Sequence, residues 1–125
     1  MSMTKSVLVV DDEPDIVYMI RVILRSAGFD VVSAESVAEG LDILATRDPD
    51  LILLDLRLSD GEGWQLLDTL RADGRIDRIP VIILSAHATP SSADRALAAG
   101  AKGYITKPFV AGNLVSAVQE WLTSP

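Results

Sequence analysis

Three unbroken apolar runs constrain this chain more than any other feature: Val7-Leu8-Val9-Val10, Leu51-Ile52-Leu53-Leu54 and Val81-Ile82-Ile83-Leu84. A strand with one wet face alternates apolar and polar residues. A run without alternation belongs to a strand buried on both faces, as in a parallel sheet. Each run also stops abruptly on a polar group, at Asp11, Asp55 and Ser85 respectively. In open α/β sheets ligands bind in the crevice beyond the carboxyl ends of the strands. The polar stops therefore matter as much as the runs.

Helical patterns fill the spaces between. Pro14 opens a stripe of Ile16, Val17, Ile20, Ile23, Leu24 and Ala27, with Arg21 and Arg25 opposite and Gly28 suited to the C-terminal end. Phe29 to Ala34 reads as a short strand. Ser36 with Glu39 is a capping-box pattern for a second helix, closed by Asp48-Pro49. Trp64 to Ala72 is a third helix, with Leu66, Leu67 and Leu70 inward and Asp73-Gly74 after it. Ser91 to Ala99 is a fourth, stopped by Gly100. Gly103 to Thr106 is the last strand, and about 111–122 the last helix.

Strand and helix alternate five times over 125 residues, which predicts a single α/β domain spanning 1–125 with helices on both faces of a parallel sheet. The three most apolar runs belong in the middle, and the flavodoxin-like order 2-1-3-4-5 puts them there. Aromatic residues are only 5% of a chain that is 49% hydrophobic, in keeping with aliphatic packing between layers.

Charge and composition narrow the function. The net charge of −7 argues against direct nucleic-acid binding, which draws its affinity from Lys and Arg. With no cysteine there is neither a disulfide framework nor a thiolate metal site. No stretch approaches a membrane span or a signal peptide, so a soluble cytoplasmic protein is expected.

In a parallel sheet the strand ends share one edge. That edge would carry Asp11 and Asp12 from strand 1, Asp55 from strand 3, Ser85 from strand 4 and Lys107 from strand 5. Three packed carboxylates repel one another, and a hard divalent cation resolves the conflict. Mg²⁺ is the expected ion, with Mn²⁺ as an alternative occupant. Such a site suits phosphoryl transfer. Asp55 is the candidate nucleophile. Asp12 would bind the metal directly, Asp11 directly or through water, and the backbone carbonyl of Arg57 would help complete the shell. Lys107 and Ser85 would hold phosphoryl oxygens.

Taken together, VLVVDDEP, LILLDLRLSDGEGW, VIILSA and GAKGYITKPF resemble the receiver domain of bacterial two-component response regulators, over essentially the whole chain. Ser85 and Lys107 fall thirty and fifty-two positions after Asp55, as in that family. The resemblance implies that Asp55 is the phosphoacceptor, Asp11 and Asp12 the acidic Mg²⁺ site, Ser85 the switch hydroxyl, Tyr104 the switch aromatic, and Lys107 the family's lysine, joined to Pro108 by a cis peptide. It implies a histidine kinase or histidine phosphotransfer protein as donor. It also implies a helix 4–strand 5–helix 5 surface that changes on phosphorylation and is read by a downstream protein, an output domain or a second copy in a homodimer. Arg57 and His87 lie two residues past the acceptor and the switch hydroxyl, positions that border the attacking water in receivers, and are expected to tune phosphoryl lifetime. Ser59 stands where the family often has proline, which loosens that loop without removing a chemical group.

Plainer readings exist for each residue alone. Asp11-Asp12-Glu13 suit a helix N-terminus, Asp55 a turn, Ser85 an ordinary strand end, Lys107 the surface. Tyr104 suits packing, His87 a loop, and Trp121 a helix edge. Only their joint placement favours function. The rival enzymatic reading is a Mg²⁺-dependent phosphatase or phosphotransferase working through an aspartyl phosphate, for which the chain offers no cap domain. A flavin binder is a third class, disfavoured by the lack of a hydroxyl-rich phosphate cradle. The chain stops directly after its last helix, which leads us to expect either a stand-alone regulator or the receiver of a larger signalling protein.

Overall fold

The computed structural model describes residues 4–58, 61–86 and 90–122. Five strands, β1 (Ser6–Val10), β2 (Asp30–Ala34), β3 (Leu51–Asp55), β4 (Val81–Ser85) and β5 (Gly103–Thr106), form one parallel sheet. Their order is 2-1-3-4-5, the flavodoxin-like order expected from the sequence, with the three apolar runs in the middle. β3 and β4 are buried at every position.

Successive side chains on a strand point to opposite faces, and this divides the core in two. Leu8, Val10, Ile52, Leu54, Val81 and Ile83 face α2 (Val37–Thr46), α3 (Trp64–Ala72) and α4 (Pro90–Ala98), meeting Leu44, Leu66, Leu67, Leu70 and Ala96. Val7, Val9, Leu51, Leu53, Ile82 and Leu84 face α1 (Pro14–Ser26) and α5 (Ala111–Leu122), meeting Ile20, Leu24, Leu114 and Val118.

The helix ends follow their local chemistry. Pro14 occupies the first turn of α1, and Gly28, at φ +97°, takes the left-handed conformation after its last turn. At α2 the Ser36 hydroxyl accepts from the Glu39 N–H at 3.0 Å, while the Glu39 carboxylate accepts from the Glu35 N–H at 3.4 Å. α4 begins one residue earlier than its sequence pattern suggests, at Pro90, because proline is well accommodated in a first turn. Two features have no sequence precedent: an antiparallel ladder of Arg57–Leu58 with Gly61–Glu62, and a 3-10 turn at Arg75–Asp77. Among the described residues no helix is long and apolar enough to cross a membrane.

Candidate functional site

Register brings the site together. Val10 pairs with Leu54, so Asp11 and Asp55, one residue further on, leave neighbouring strands at the same level. Asp55 pairs with Leu84 and Ser85 with Thr106, which places Ser85 one step beyond Asp55 and Lys107 two. The Lys107 N–H donates to the Ser85 carbonyl at 2.7 Å and ties these two strand ends to each other. β4 separates β3 from β5, so the Asp55 and Lys107 backbones stand roughly 10 Å apart at ordinary strand spacing. A lysine side chain spans that gap.

Its ammonium lands among carboxylates. Lys107 Nζ donates to Asp11 Oδ2 at 2.6 Å, to Asp55 Oδ2 at 3.0 Å and to Glu13 Oε1 at 3.1 Å. The Asp11 side chain is wholly buried, and those of Asp55 and Lys107 nearly so. The remaining oxygens bind backbone: Asp11 Oδ1 accepts from the Glu13 N–H and Asp55 Oδ1 from the Arg57 N–H, both at 2.9 Å. These bonds hold the Asp11 and Asp55 carboxylates on either side of the Lys107 ammonium.

Electrostatics follow from burial and charge count. Burial lifts the Asp11 carboxyl above its ordinary range, against the opposing pull of Lys107 and the Glu13 N–H. Burial alone would lower the Lys107 ammonium, but its hydrogen bonds to Asp11, Asp55 and Glu13 outweigh that and hold it well above its ordinary value. Lys107 is therefore charged at any physiological pH.

Oxygens of Asp11, Asp12 and Asp55 all lie within 4.8 Å of one another. One ammonium does not neutralise three carboxylates, with Glu13 a fourth at the mouth. The donor set is all hard oxygen, which fits a small divalent cation such as Mg²⁺. Asp12, Glu13, Asp55, Arg57, Ser85, Ala86 and Lys107 line a cavity of about 220 Å³ above this cluster. The space is small and lined mainly by charged and polar groups.

Gly63 seals the far side of the Asp55 loop. Its N–H donates to the Leu56 carbonyl at 2.8 Å, and a Cβ there would lie 2.8 Å from the Asp55 carbonyl oxygen and 3.0 Å from Leu54 Cδ1. The backbone comes too close for any side chain.

The structure thus gathers Asp12, Asp55, Ser85, Arg57 and Lys107 around one cavity, with the buried Asp11 bonded to Lys107. The Lys107–Pro108 peptide is cis. Tyr104 lies away from that cavity, half-buried against the α2–α3–α4 side of the core, and borders a separate groove between β5 and α5. Trp121 is 39% exposed at the edge of α5. His87 and Ser59 lie outside the described residues. Glu13 is the residue that sequence reasoning passed over. It reads as a helix-terminus acid, and it does cap α1, its carbonyl accepting from the Val17 N–H. One signal was available: an ammonium has three donors, so a buried lysine calls for three acceptors.

A doubly wound sheet with an aspartate trio and a lysine at its carboxyl edge defines a class of phosphoryl-handling α/β domains. The family model of the response regulator receiver domain matches residues 7–119, and the chain belongs to that family of signalling switches. It is 44% identical over 109 residues to the KDP operon transcriptional regulatory protein KdpE of Escherichia coli, covering 87% of this chain and 47% of KdpE. It is 30% identical over 120 residues to the polar-differentiation response regulator DivK of Brucella ovis, covering 96% of this chain and 98% of DivK. A response regulator structure from Chloroflexus aurantiacus superposes with a TM-score of 0.90 at 30% identity, covering 98% of this chain and all of that one. The chain spans about half the length of KdpE and of the similar regulator PhoB from Pseudomonas aeruginosa.

Proposed function

We propose that residues 1–125 form one receiver domain that takes a phosphoryl group on Asp55 from a histidine kinase or histidine phosphotransfer protein. The observation that carries this reading is the Lys107 ammonium between Asp11 and Asp55, with Asp12 within ligand distance of both. An Asp55 carboxylate oxygen attacks phosphorus, the bond from phosphorus to the donor imidazole nitrogen breaks, and the imidazole keeps that electron pair and takes up a proton. The product is an acyl phosphate on Asp55.

Asp11, Asp12, Asp55 and the Arg57 backbone carbonyl would hold Mg²⁺, or Mn²⁺ in its place. When bound, the ion neutralises charge on the phosphoryl oxygens. Lys107 and Ser85 donate to those oxygens and stabilise the charge that moves onto them. Arg57, exposed at the cavity mouth, and His87 set access of the water that later hydrolyses the acyl phosphate. An Arg57→Ala variant that loses phosphate at the wild-type rate removes Arg57 from this role.

The domain is a switch that acts chemically only on itself. As Ser85 moves to the phosphoryl group, Tyr104 shifts toward the space it leaves and reshapes the α4–β5–α5 surface. A groove of about 570 Å³ between β5 and α5, bordered by Tyr104 and Glu120, makes that surface readable by a downstream protein, an attached output domain or a second copy. The expected location is the cytoplasm.

The test is intact mass after incubation with acetyl phosphate and Mg²⁺. Wild type should gain one phosphoryl group, and Asp55→Ala or metal-free wild type none. An adduct of equal size on Asp55→Ala would remove Asp55 from the acceptor role.

A further inference from the structure

Lys107 has no donor to spare. An ammonium carries three N–H groups, and Asp11, Asp55 and Glu13 take all three at 2.6, 3.0 and 3.1 Å. If Asp55 is the phosphoacceptor, on which this inference rests, Lys107 must turn a donor toward the incoming phosphoryl oxygen. One existing partner has to let go.

The three partners differ in what release costs. Asp11 is wholly buried, and freeing it would leave a carboxylate in a poorly solvated place without its counter-ion. Asp55 is itself the reacting group. Glu13 makes the longest of the three bonds, and its side chain is 57% exposed, so water replaces Lys107 as soon as they part. Its backbone is meanwhile fixed at the mouth of the cavity. The Glu13 N–H donates to Asp11 Oδ1, its carbonyl caps α1, and its φ of −96° and ψ of 107° are those of an extended N-cap. The carboxylate lines the cavity beside Asp55 and Lys107.

We infer that Glu13 is a displaceable placeholder for the phosphoryl group. It holds the third Lys107 donor in the resting protein and yields it to a phosphoryl oxygen on transfer. Glu13 is a positioning residue, acting through Lys107 without touching the reacting atoms.

The consequence is an asymmetry. Phosphorylation starts with the Glu13–Lys107 contact made and must break it. Hydrolysis starts from a protein in which the contact is already gone. Loss of Glu13 should therefore speed the first reaction and leave the second alone. The experiment compares wild type, Glu13→Gln and Glu13→Ala, each with acetyl phosphate and with the less negatively charged phosphoramidate, at saturating Mg²⁺. An exposed ion pair is worth a factor of ~2 to 5, so phosphorylation should quicken about that much in both variants and with both donors. Dephosphorylation of the purified acyl phosphate should stay at the wild-type rate.

A metal-free arm needs no chemistry. In a double-mutant cycle of Glu13→Gln with Lys107→Met, followed by urea unfolding, the two changes should be non-additive by ~2- to 5-fold in the folding equilibrium constant. Additive effects would overturn the inference. So would an unchanged or slower phosphorylation, a gain confined to acetyl phosphate (repulsion of the donor), or parallel changes in both rates. Wild type that takes neither a phosphoryl group nor beryllofluoride would overturn the phosphoacceptor reading and this inference together. Wild-type uptake with unaltered Glu13 variants would overturn the placeholder alone.

Discussion

Two ion networks sit at opposite edges of the same sheet and are built on opposite terms. At the carboxyl edge one buried ammonium, Lys107, faces Asp11, Asp55 and Glu13, with Asp12 beside them. At the amino edge, where α2 and the 3-10 turn lead into β3 and β4, two guanidiniums face two carboxylates. Arg75 donates to Asp73 at 2.8 and 3.0 Å, to Asp48 at 3.0 Å and to the Leu44 carbonyl at 2.7 Å, and Arg78 donates to Asp48 at 3.2 Å. The second network is balanced and wet. The first is buried and carries surplus negative charge. Balanced charge holds loops in place, whereas surplus negative charge in a buried pocket favours a cation that offsets it.

The largest effect expected from this contrast is at Lys107. Lys107→Met leaves Asp11 and Asp55 buried without a counter-ion, and removing one partner of a buried pair costs about 3 kcal/mol or more. In metal-free buffer at neutral pH, urea unfolding should show a loss of that order, and millimolar Mg²⁺ should recover part of it. A neutral Lys107→Met would mean that the two edges do not differ as their charge counts say.

Opposite signs sharpen the comparison further. Asp12→Asn removes one of the clustered like charges, so metal-free protein should gain about 1 kcal/mol. On the proposed reading the same change also deletes a metal ligand. Mg²⁺ should raise the unfolding midpoint of wild type and leave that of Asp12→Asn nearly unmoved. Thermal scans with and without Mg²⁺ read both effects. At the amino edge no substitution should stabilise: Arg75→Ala loses bonds to two carboxylates and a backbone carbonyl through a side chain only 15% exposed, and should cost about 1–2 kcal/mol with no response to Mg²⁺.

The two edges also differ in how far sequence alone exposes them. The carboxyl edge was legible because strands buried on both faces announce themselves as unbroken runs, and a parallel sheet must bring the residues after those runs together. Asp11, Asp55 and Ser85 needed only that argument. Lys107 needed its side chain to pass the end of β4, which its length allows. The third partner of Lys107 was hidden, because Glu13 satisfies a simpler rule as a helix-terminus acid and nothing local shows its carboxylate folding back. The amino edge was illegible. Arg75 meets Leu44 thirty-one residues away through loops, where no periodicity constrains what faces what. The same holds for Arg95, whose guanidinium stacks 4.0 Å from the Trp64 ring centre, and for the short ladder of Arg57–Leu58 with Gly61–Glu62.

The smallest expected effect is on acid stability, and here the two edges should pull in opposite directions. Asp48 and Asp73 are held below their ordinary value of 3.8, chiefly by hydrogen bonds from Arg75. Their folded forms thus bind protons less readily than the unfolded chain. What they add to stability is complete above pH 3.8 and is lost as pH falls through their lower folded values. Asp11 is raised above 3.8 by burial. Its charged form is penalised on folding, so protonation as pH falls from its raised value toward 3.8 restores stability. In metal-free buffer, the stability of Asp11→Asn relative to wild type should change only above pH 3.8, and that of Arg75→Ala only below it. Urea midpoints from pH 2.5 to 7 would show the two windows as separate steps in the difference curves. Steps that coincide would mean that one network, and not two, governs the response to acid.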